Sequence, residues 1–408
     1  MTRILLVKLS AIGDVIHCLP LVARLKENLP DCQLHWLVEP AAAPLLFNNP
    51  LVDKVFVLPK KEFLAGFKSR KPSAVLASPS PIAHRIKALK RESYDLAIDA
   101  QGLFKSAALA RLSGAKKVVG FKGTRESAEH WLTDSLDVGD YFAPDCHVVD
   151  LNLALADFAL RTTGGAKPPS DNLPRDHTLV CFPLPAVTES ERGKIEKLLG
   201  SFAASSPAVQ PLPKPSSDDI IQPADVAPYM ATKEKPLIVL IPGTTWDTKI
   251  WPAQSWIELA CRFQKELDAG IILVGGPSER AANLHIYKGI EAAAGRPHLL
   301  ADITGETNLI DLLALFERTT LVIGADTGPM HLACAAAAGG GPAVLAVHGA
   351  SPWGRNGPYG PAGRVAACHL ELACQPCFSK HCRLGTIECM KDLPVGKVFQ
   401  MAISLLAL

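Results

Sequence analysis

Three loops in the second half of the chain carry residue types suited to a nucleoside diphosphate. In "GTTWDTKIWP", which begins at Gly243, Thr244 and Thr245 offer hydroxyls and backbone N–H groups, and Lys249 adds a cation. Hydroxyls, open amides and a lysine beside a helix start are what a diphosphate needs. An ordinary helix-capping loop has the same composition. The stretch does not match the P-loop pattern, so simple ATP hydrolysis gains little support. In "VGGPSERAAN" a strand runs into Gly275 and Gly276, and Glu279 follows. A carboxylate there accepts hydrogen bonds from ribose hydroxyls, or serves as a favourable first-turn charge. In "GADTGPMHLAC", Asp326, Thr327 and Gly328 open a helix and His331 sits one turn in. Small residues admit a ligand to the backbone, where N–H groups face an anion. A lone histidine in an apolar helix is usually packed. This one shares the helix end with Asp, Thr and Gly, which favours ligand contact.

The first half offers a different set. "KLSAIGDVIHCLP" begins at Lys8 and places one carboxylate, Asp14, where an apolar helix starts. Gly13 is expected to turn the chain from strand to helix. Asp14 then serves as a general base or as a helix cap, and the two roles are compatible. "DAQGLFKSA" puts Asp99, Gln101, Lys105 and Ser106 after a strand, and "GTRESAE" puts Arg125 after "VVGF". Either is surface decoration or, with the basic stretch from Lys60 to Arg91, part of a surface for an anionic acceptor. That stretch holds nine Lys or Arg and one acid, Glu62. It reads as a solvated face, or as contact with an anionic substrate or the negative inner membrane leaflet. No paired carboxylates and no Ser/His/Asp order stand out.

The elements that must hold these loops are legible as alternating strands and helices. "ILLVKL", "QLHWLVEP", "KVFVLP", "YDLAIDA" and "KKVVGF" are strands; "DVIHCLPLVARLKENLP", "IAHRIKALKRES" and "FKSAALARLSG" are helices. The pattern restarts at "PLIVLIPG" and runs to "AVLAVHG". Such alternation gives α/β domains with mostly parallel sheets, whose ligands bind at the carboxyl ends of the strands. At 408 residues the chain is too long for one ordinary core. The expected division is 1–185, a Pro/Ser-rich linker or insertion over 186–235, and 236–408, with the active site in the interdomain cleft. Apolar content of 48% and a net charge of +2 describe a globular protein that is no general nucleic-acid binder. No signal-peptide pattern opens the chain and no run is clean enough to span a bilayer, so a cytoplasmic protein is expected.

There are eleven cysteines. An odd count argues against a disulfide framework. Several, such as Cys181, Cys261 and Cys334, are expected as core thiols. Cys374, Cys377, Cys382 and Cys389 follow the spacing CxxC, then four residues, then six. Four clustered thiolates suit a structural zinc or iron; reduced structural thiols and disulfides are the other readings.

In this order and spacing, "KLSAIGDVIHCLP", "YDLAIDAQGLFKSA", "PGTTWDTKIWP" and "DTGPMH" resemble the ADP-heptose:lipopolysaccharide heptosyltransferases. The "DAQGL" form is more similar to heptosyltransferase I than to II. Single motifs are weak, but four in register are specific. The resemblance covers nearly the whole chain outside the Pro/Ser-rich stretch. It implies a GT-B glycosyltransferase fold, two Rossmann-like domains with the acceptor site in the first and the donor site in the second. It implies inverting transfer of heptose from ADP-L-glycero-β-D-manno-heptose to the Kdo of lipid A–Kdo. The enzyme would be cytoplasmic, peripheral to the inner membrane, and need no cofactor for catalysis. By the family pattern Asp14 matches the base. Thr244, Thr245 and Lys249 match diphosphate contacts, with Lys249 also stabilising the leaving ADP. Glu279 matches a ribose contact, and Asp326, Thr327, Gly328 and His331 the rest of the donor loop. Ser10, Gly13, Gln101, Lys105 and Arg125 are the acceptor candidates.

Three stretches depart from the pattern. The insertion near 203–229 is not part of it, "HGASPWGRNGPYG" lacks the family's Thr-Asp-Pro, and the run "CHLELACQPCFSKHCRLGTIECM" is the third, although similar cysteine runs occur in some members of the wider family. Neighbouring readings are a heptosyltransferase II-like or protein heptosyltransferase and a nucleotide-sugar epimerase of the same architecture. A non-catalytic module binding metal and nucleic acid is disfavoured, because the cysteines and the basic stretch lie in different halves.

Overall fold

A computed structural model describes residues 1–58, 81–163, 180–200, 235–294 and 300–406. Most of the basic stretch (60–80) and the Pro/Ser-rich residues 201–234 lie outside the described residues. The chain divides into two compact units. The first takes the described residues through 163 and those at 181–186; the second takes Val180 and those from 187 onward.

The first unit's sheet contains β1 (Arg3–Val7), β2 (Gln33–Val38), β3 (Lys54–Val57), β4 (Leu96–Asp99), β5 (Lys117–Phe121) and β6 (Asp134–Leu136). Their order is β3-β2-β1-β4-β5-β6, and every pairing is parallel. The second unit's sheet contains β7 (Leu237–Ile241), β8 (Gly270–Leu273), β9 (Leu300–Asp302), β10 (Leu321–Ala325), β11 (Ala343–Val347) and β12 (Val365–Cys368). Its order, β12-β11-β10-β7-β8-β9, is again all parallel. In both sheets the first strand lies between the second and the fourth. That arrangement creates a switch point, where the loops after those two central strands diverge to opposite faces and leave a crevice. The switch points are β1/β4, with Val7 beside Asp99, and β7/β10, with Ile241 beside Gly324.

The strands are apolar almost throughout because both faces are covered. Leu5, Val7, Leu37, Ala97 and Val118 share one buried cluster. Ile238, Leu240, Ile323 and Leu345 share another with Trp256 and Phe263. Each such aliphatic side chain contributes roughly 1.5–3 kcal/mol relative to exposure. The helix Ala253–Leu267 buries Trp256, Ile257, Leu259, Ala260 and Phe263, the spacing of one helical face.

Two expectations change. The helix expected over "DVIHCLPLVARLKENLP" is two helices, Ile12–Ile16 and Leu19–Asn28. Pro20 sits in the first turn of the second, where its missing N–H costs nothing; inside one continuous helix it would break the hydrogen-bond ladder. Gly13 lies within the first helix, so the turn out of β1 is made by residues 8–11 and not by that glycine. The C-terminal helix Val395–Leu406, which buries Val398, Phe399 and Ala402, was not anticipated. Among the described residues no helix is long and apolar enough to cross a membrane.

Candidate active site

In the first unit the candidate residues gather at the β1/β4 switch point. The loop leaving β1 carries Asp14 into the first turn of its helix, where Oδ2 accepts the Ala11 N–H at 3.0 Å. The capping role is therefore real, and it holds the carboxylate in place. Gln101, in the loop leaving β4, accepts the N–H groups of Leu9 at 3.0 Å and Ser10 at 3.2 Å through Oε1. One side chain thus ties the two crevice loops together. Ser10 and Gly13 lie in the loop and helix so held.

Lys8 is buried, its ammonium donating to the Ala100 carbonyl at 2.9 Å. Burial opposes the Lys8 charge, but Asp14, Tyr141, Cys18 and Asp99 around it raise its pKa above the ordinary lysine value. Burial pushes Asp99 up to about 6, against hydrogen bonds from Ser106, Gln101 and Gly102 and the pull of Lys8. Lys105 reaches the buried Glu39, after β2, at 3.2 Å. Arg125 is exposed after β5, with its guanidinium 5.2 Å from the Phe142 ring centre.

In the second unit the loops after β7 and β10 meet through charge. Lys249 Nζ lies 2.6 Å from Asp326 Oδ2, and His331 Nε2 lies 3.2 Å from Asp326 Oδ1. Asp326 and His331 are buried. Ser351 Oγ donates to the same Asp326 oxygen as Lys249, and His348 Nδ1 lies 3.4 Å from Ser351 Oγ. With the Ser351 hydrogen given to Asp326, Nδ1 is the protonated nitrogen of His348. Burial works against the Asp326 anion, but His348, His331 and Lys249 hold its carboxyl well below the usual range. Burial pushes His348 down to about 4, although Asp326 pulls the other way. Three donors on one buried carboxylate make a rigid anionic anchor, and Lys249 is aimed by it.

Glu279 is placed by glycines. Its Oε2 accepts the Gly276 N–H at 2.6 Å. A Cβ on Gly243 would lie 2.0 Å from Glu279 Oε1, and one on Gly275 2.6 Å from Oε2. The carboxylate therefore lies over the start of the loop that carries Thr244 and Thr245. Thr244 is half-buried and Thr245 exposed. Thr327 precedes the helix Gly328–Ala338 in extended conformation, and Gly328 begins it. The second-unit candidates are thus carried by the loops after β7, β8 and β10.

Sequence reasoning missed Lys8, His348 and Ser351. The last two belong to "HGASPWG", the loop that departs from the family pattern. Ser351 ties that loop to Asp326 directly. Of the expected core thiols, Cys334 is buried and pushed up to about 12 by burial, whereas Cys181 is exposed. Cys374, Cys377, Cys382 and Cys389 are all free. Burial first, then the other three thiols, pushes Cys389 up to about 11. Among the described residues no three His, Cys, Asp or Glu side chains are gathered so as to hold a metal ion.

With this geometry in hand, the chain can be set beside known proteins. The model of "Glycosyltransferase family 9 (heptosyltransferase)" matches residues 82–176 and 197–388. Lipopolysaccharide heptosyltransferase 1 of Pseudomonas aeruginosa is 28% identical over 95% of this chain and 89% of its own length. The Escherichia coli protein of the same name is 25% identical over 82% of this chain and 84% of its own. Among solved structures, Escherichia coli ADP-heptose lps heptosyltransferase II superposes with a TM-score of 0.67 at 19% identity, covering 99% of this chain and 98% of that one. Escherichia coli heptosyltransferase WaaC with ADP gives 0.60 at 22% identity, covering 90% and 93%. The likeness shows a GT-B fold, in agreement with the two parallel sheets. The family model spans more than half of the sequence, and the chain belongs to glycosyltransferase family 9, the heptosyltransferases.

Proposed function

We propose that this glycosyltransferase moves heptose from ADP-L-glycero-β-D-manno-heptose to the Kdo of lipid A–Kdo, with inversion, in assembly of the lipopolysaccharide inner core. The observation that carries the reading is the group formed by Lys249, Asp326, His331 and Glu279 around the β7/β10 switch point. A nucleoside diphosphate needs a cation, helix-end amides and a ribose acceptor in one place. Relatives named as lipopolysaccharide heptosyltransferases, matched along most of the chain, support the same reading.

The first unit takes the acceptor. Asp14 removes the proton of the attacking hydroxyl as the new bond forms, because a neutral hydroxyl is a poor nucleophile. One oxygen of Asp14 holds the Ala11 amide, which leaves the other for the acceptor. Lys8, buried and held charged by Asp14 and its other neighbours, is a fixed cation in this unit. Gln101 keeps the Leu9–Ser10 backbone in register with the β4 loop. Lys105 and Arg125 offer cations to an anionic acceptor. The second unit takes the donor. Lys249 and the amides near Gly328 stabilise charge growing on the departing ADP, a fixed electrostatic effect worth a few kcal/mol per donor group, on the order of 3. Attack by the acceptor hydroxyl opposite the leaving ADP inverts the anomeric carbon in one step. The enzyme works on the cytoplasmic side, at the inner leaflet, where its lipid acceptor resides.

The test is incubation of the purified protein with ADP-heptose and Kdo₂-lipid A, read by mass spectrometry. Addition of one heptose supports the assignment. Donor turnover with no heptose on the acceptor would sink it for that acceptor.

A further inference from the structure

The cysteine-bearing segment has no part in the reading above, yet it is bonded to the loop after β7, which carries Lys249, and to the loop after β11, which carries Ser351. Gln375 Nε2 donates to the Gly349 carbonyl at 2.7 Å, and the Phe378 N–H donates to the Ala350 carbonyl at 2.9 Å. On the other side, the Thr248 hydroxyl donates to the Ser379 carbonyl at 2.6 Å. His381 Nδ1 lies 3.1 Å from Asp247 Oδ2. The Phe378 ring centre stands 5.6 Å from that of Trp246. Close packing continues at Gly349, where a Cβ would lie 2.5 Å from Met390 Sδ and 2.6 Å from the Thr248 carbonyl. Residues 375–381 are thus fastened to the loop carrying Lys249 and to the loop carrying Ser351.

This fastening has a chemical consequence at Lys380. Its ammonium stands 5.8 Å from the Trp246 ring centre, and that of Lys249 stands 4.5 Å from the same ring. Two cations therefore share one indole at the donor loop, an arrangement favoured by the ring's negative face. Lys249 is already paired with Asp326 at 2.6 Å, so part of its charge is committed. A departing nucleoside diphosphate carries more negative charge than one such lysine offsets. Lys380 is exposed and sits on a segment whose backbone is pinned at Phe378 and Ser379.

We propose that Lys380 is a donor-binding residue, which supplies a second cation to the diphosphate held by the Gly243–Lys249 loop. The cysteine-bearing segment is the arm that delivers it. The inference rests on the donor reading of the second unit. It gives the cysteine run a positioning role that holds whatever the state of its thiols.

The experiment is calorimetric titration of the full-length protein with ADP. Lys380→Ala is expected to weaken ADP binding about tenfold, the size of one charge-assisted contact. Lys380→Arg is expected to recover most of it, since the charge and reach are kept. Wild-type ADP affinity in Lys380→Ala overturns the inference. So does an equal loss in both variants, which would mark a structural role for the side chain. If the wild-type protein binds no ADP, the donor reading itself falls, and this inference falls with it.

Discussion

In the proposed reaction Asp14 does two jobs with one carboxylate. The bond to Ala11 orients it, and its charge helps to keep the buried Lys8 ammonium protonated. Asp14→Asn keeps the shape and can still cap the helix, but it cannot take a proton. The variant is predicted to lose about 10²–10⁴-fold in kcat with ADP affinity unchanged, measured by initial rates and calorimetry. Wild-type kcat in that variant would remove Asp14 from the role of base. A second residue-scale prediction concerns His348. Unfolded, its imidazole takes a proton near 6.5; folded, it does so only near 4. Its contribution to stability is therefore complete above pH 6.5 and is lost as pH falls towards 4. Asp326, His331, Lys249 and His369 surround it. Thermal melts of His348→Asn should show a shallower fall in Tm over that window than wild type; parallel falls would contradict a buried neutral imidazole. Asp14 was legible in the sequence because a lone acid at a helix start is a local pattern. The pairing of Lys249 with Asp326 was not, because the two are 77 residues apart and only the sheet order joins them. Ser351 and His348 gave no signal at all; in a Gly/Pro-rich loop, neither spacing nor periodicity marks a residue that reaches into a network.

At the scale of elements, the site follows from parallel sheets with a central first strand. The sequence shows this as strand, small-residue loop and helix in repetition, and that local pattern is why the sheets could be read. Boundaries set by competing effects were less legible. Pro20 divides one apparent amphipathic run into two helices, and the turn out of β1 needs no glycine. The glycines after β7 and β8 matter for a different reason, since their missing side chains make room for Glu279. Gly243→Ala would push a methyl group into the end of that flexible side chain. The expected result is a stability change under about 1 kcal/mol and ADP affinity weakened roughly tenfold through displacement of a ribose contact. Unchanged ADP affinity would show that Glu279 does not meet the ribose. The cysteine run illustrates a limit of spacing arguments. Its spacing marks four thiols but gives no sign of the bonds that Gln375, Phe378 and Ser379 make to the loops after β7 and β11.

For the whole molecule, two units with the same strand order carry different residues in their crevice loops. The first offers a helix-start carboxylate and a buried lysine that feels its charge, and the second a cation anchored on a buried carboxylate. That division matches a reaction that deprotonates one substrate and stabilises a leaving group on the other. The family model makes the molecule a family 9 glycosyltransferase; its donor, acceptor and base are proposals for measurement. The direct test offers wild-type protein ADP-heptose with either Kdo₂-lipid A or the same acceptor already carrying its first heptose, and follows product mass. The account predicts one heptose added to Kdo₂-lipid A and none to the heptosylated acceptor. Addition to the heptosylated acceptor alone, or consumption of donor without a new glycoside, would contradict it.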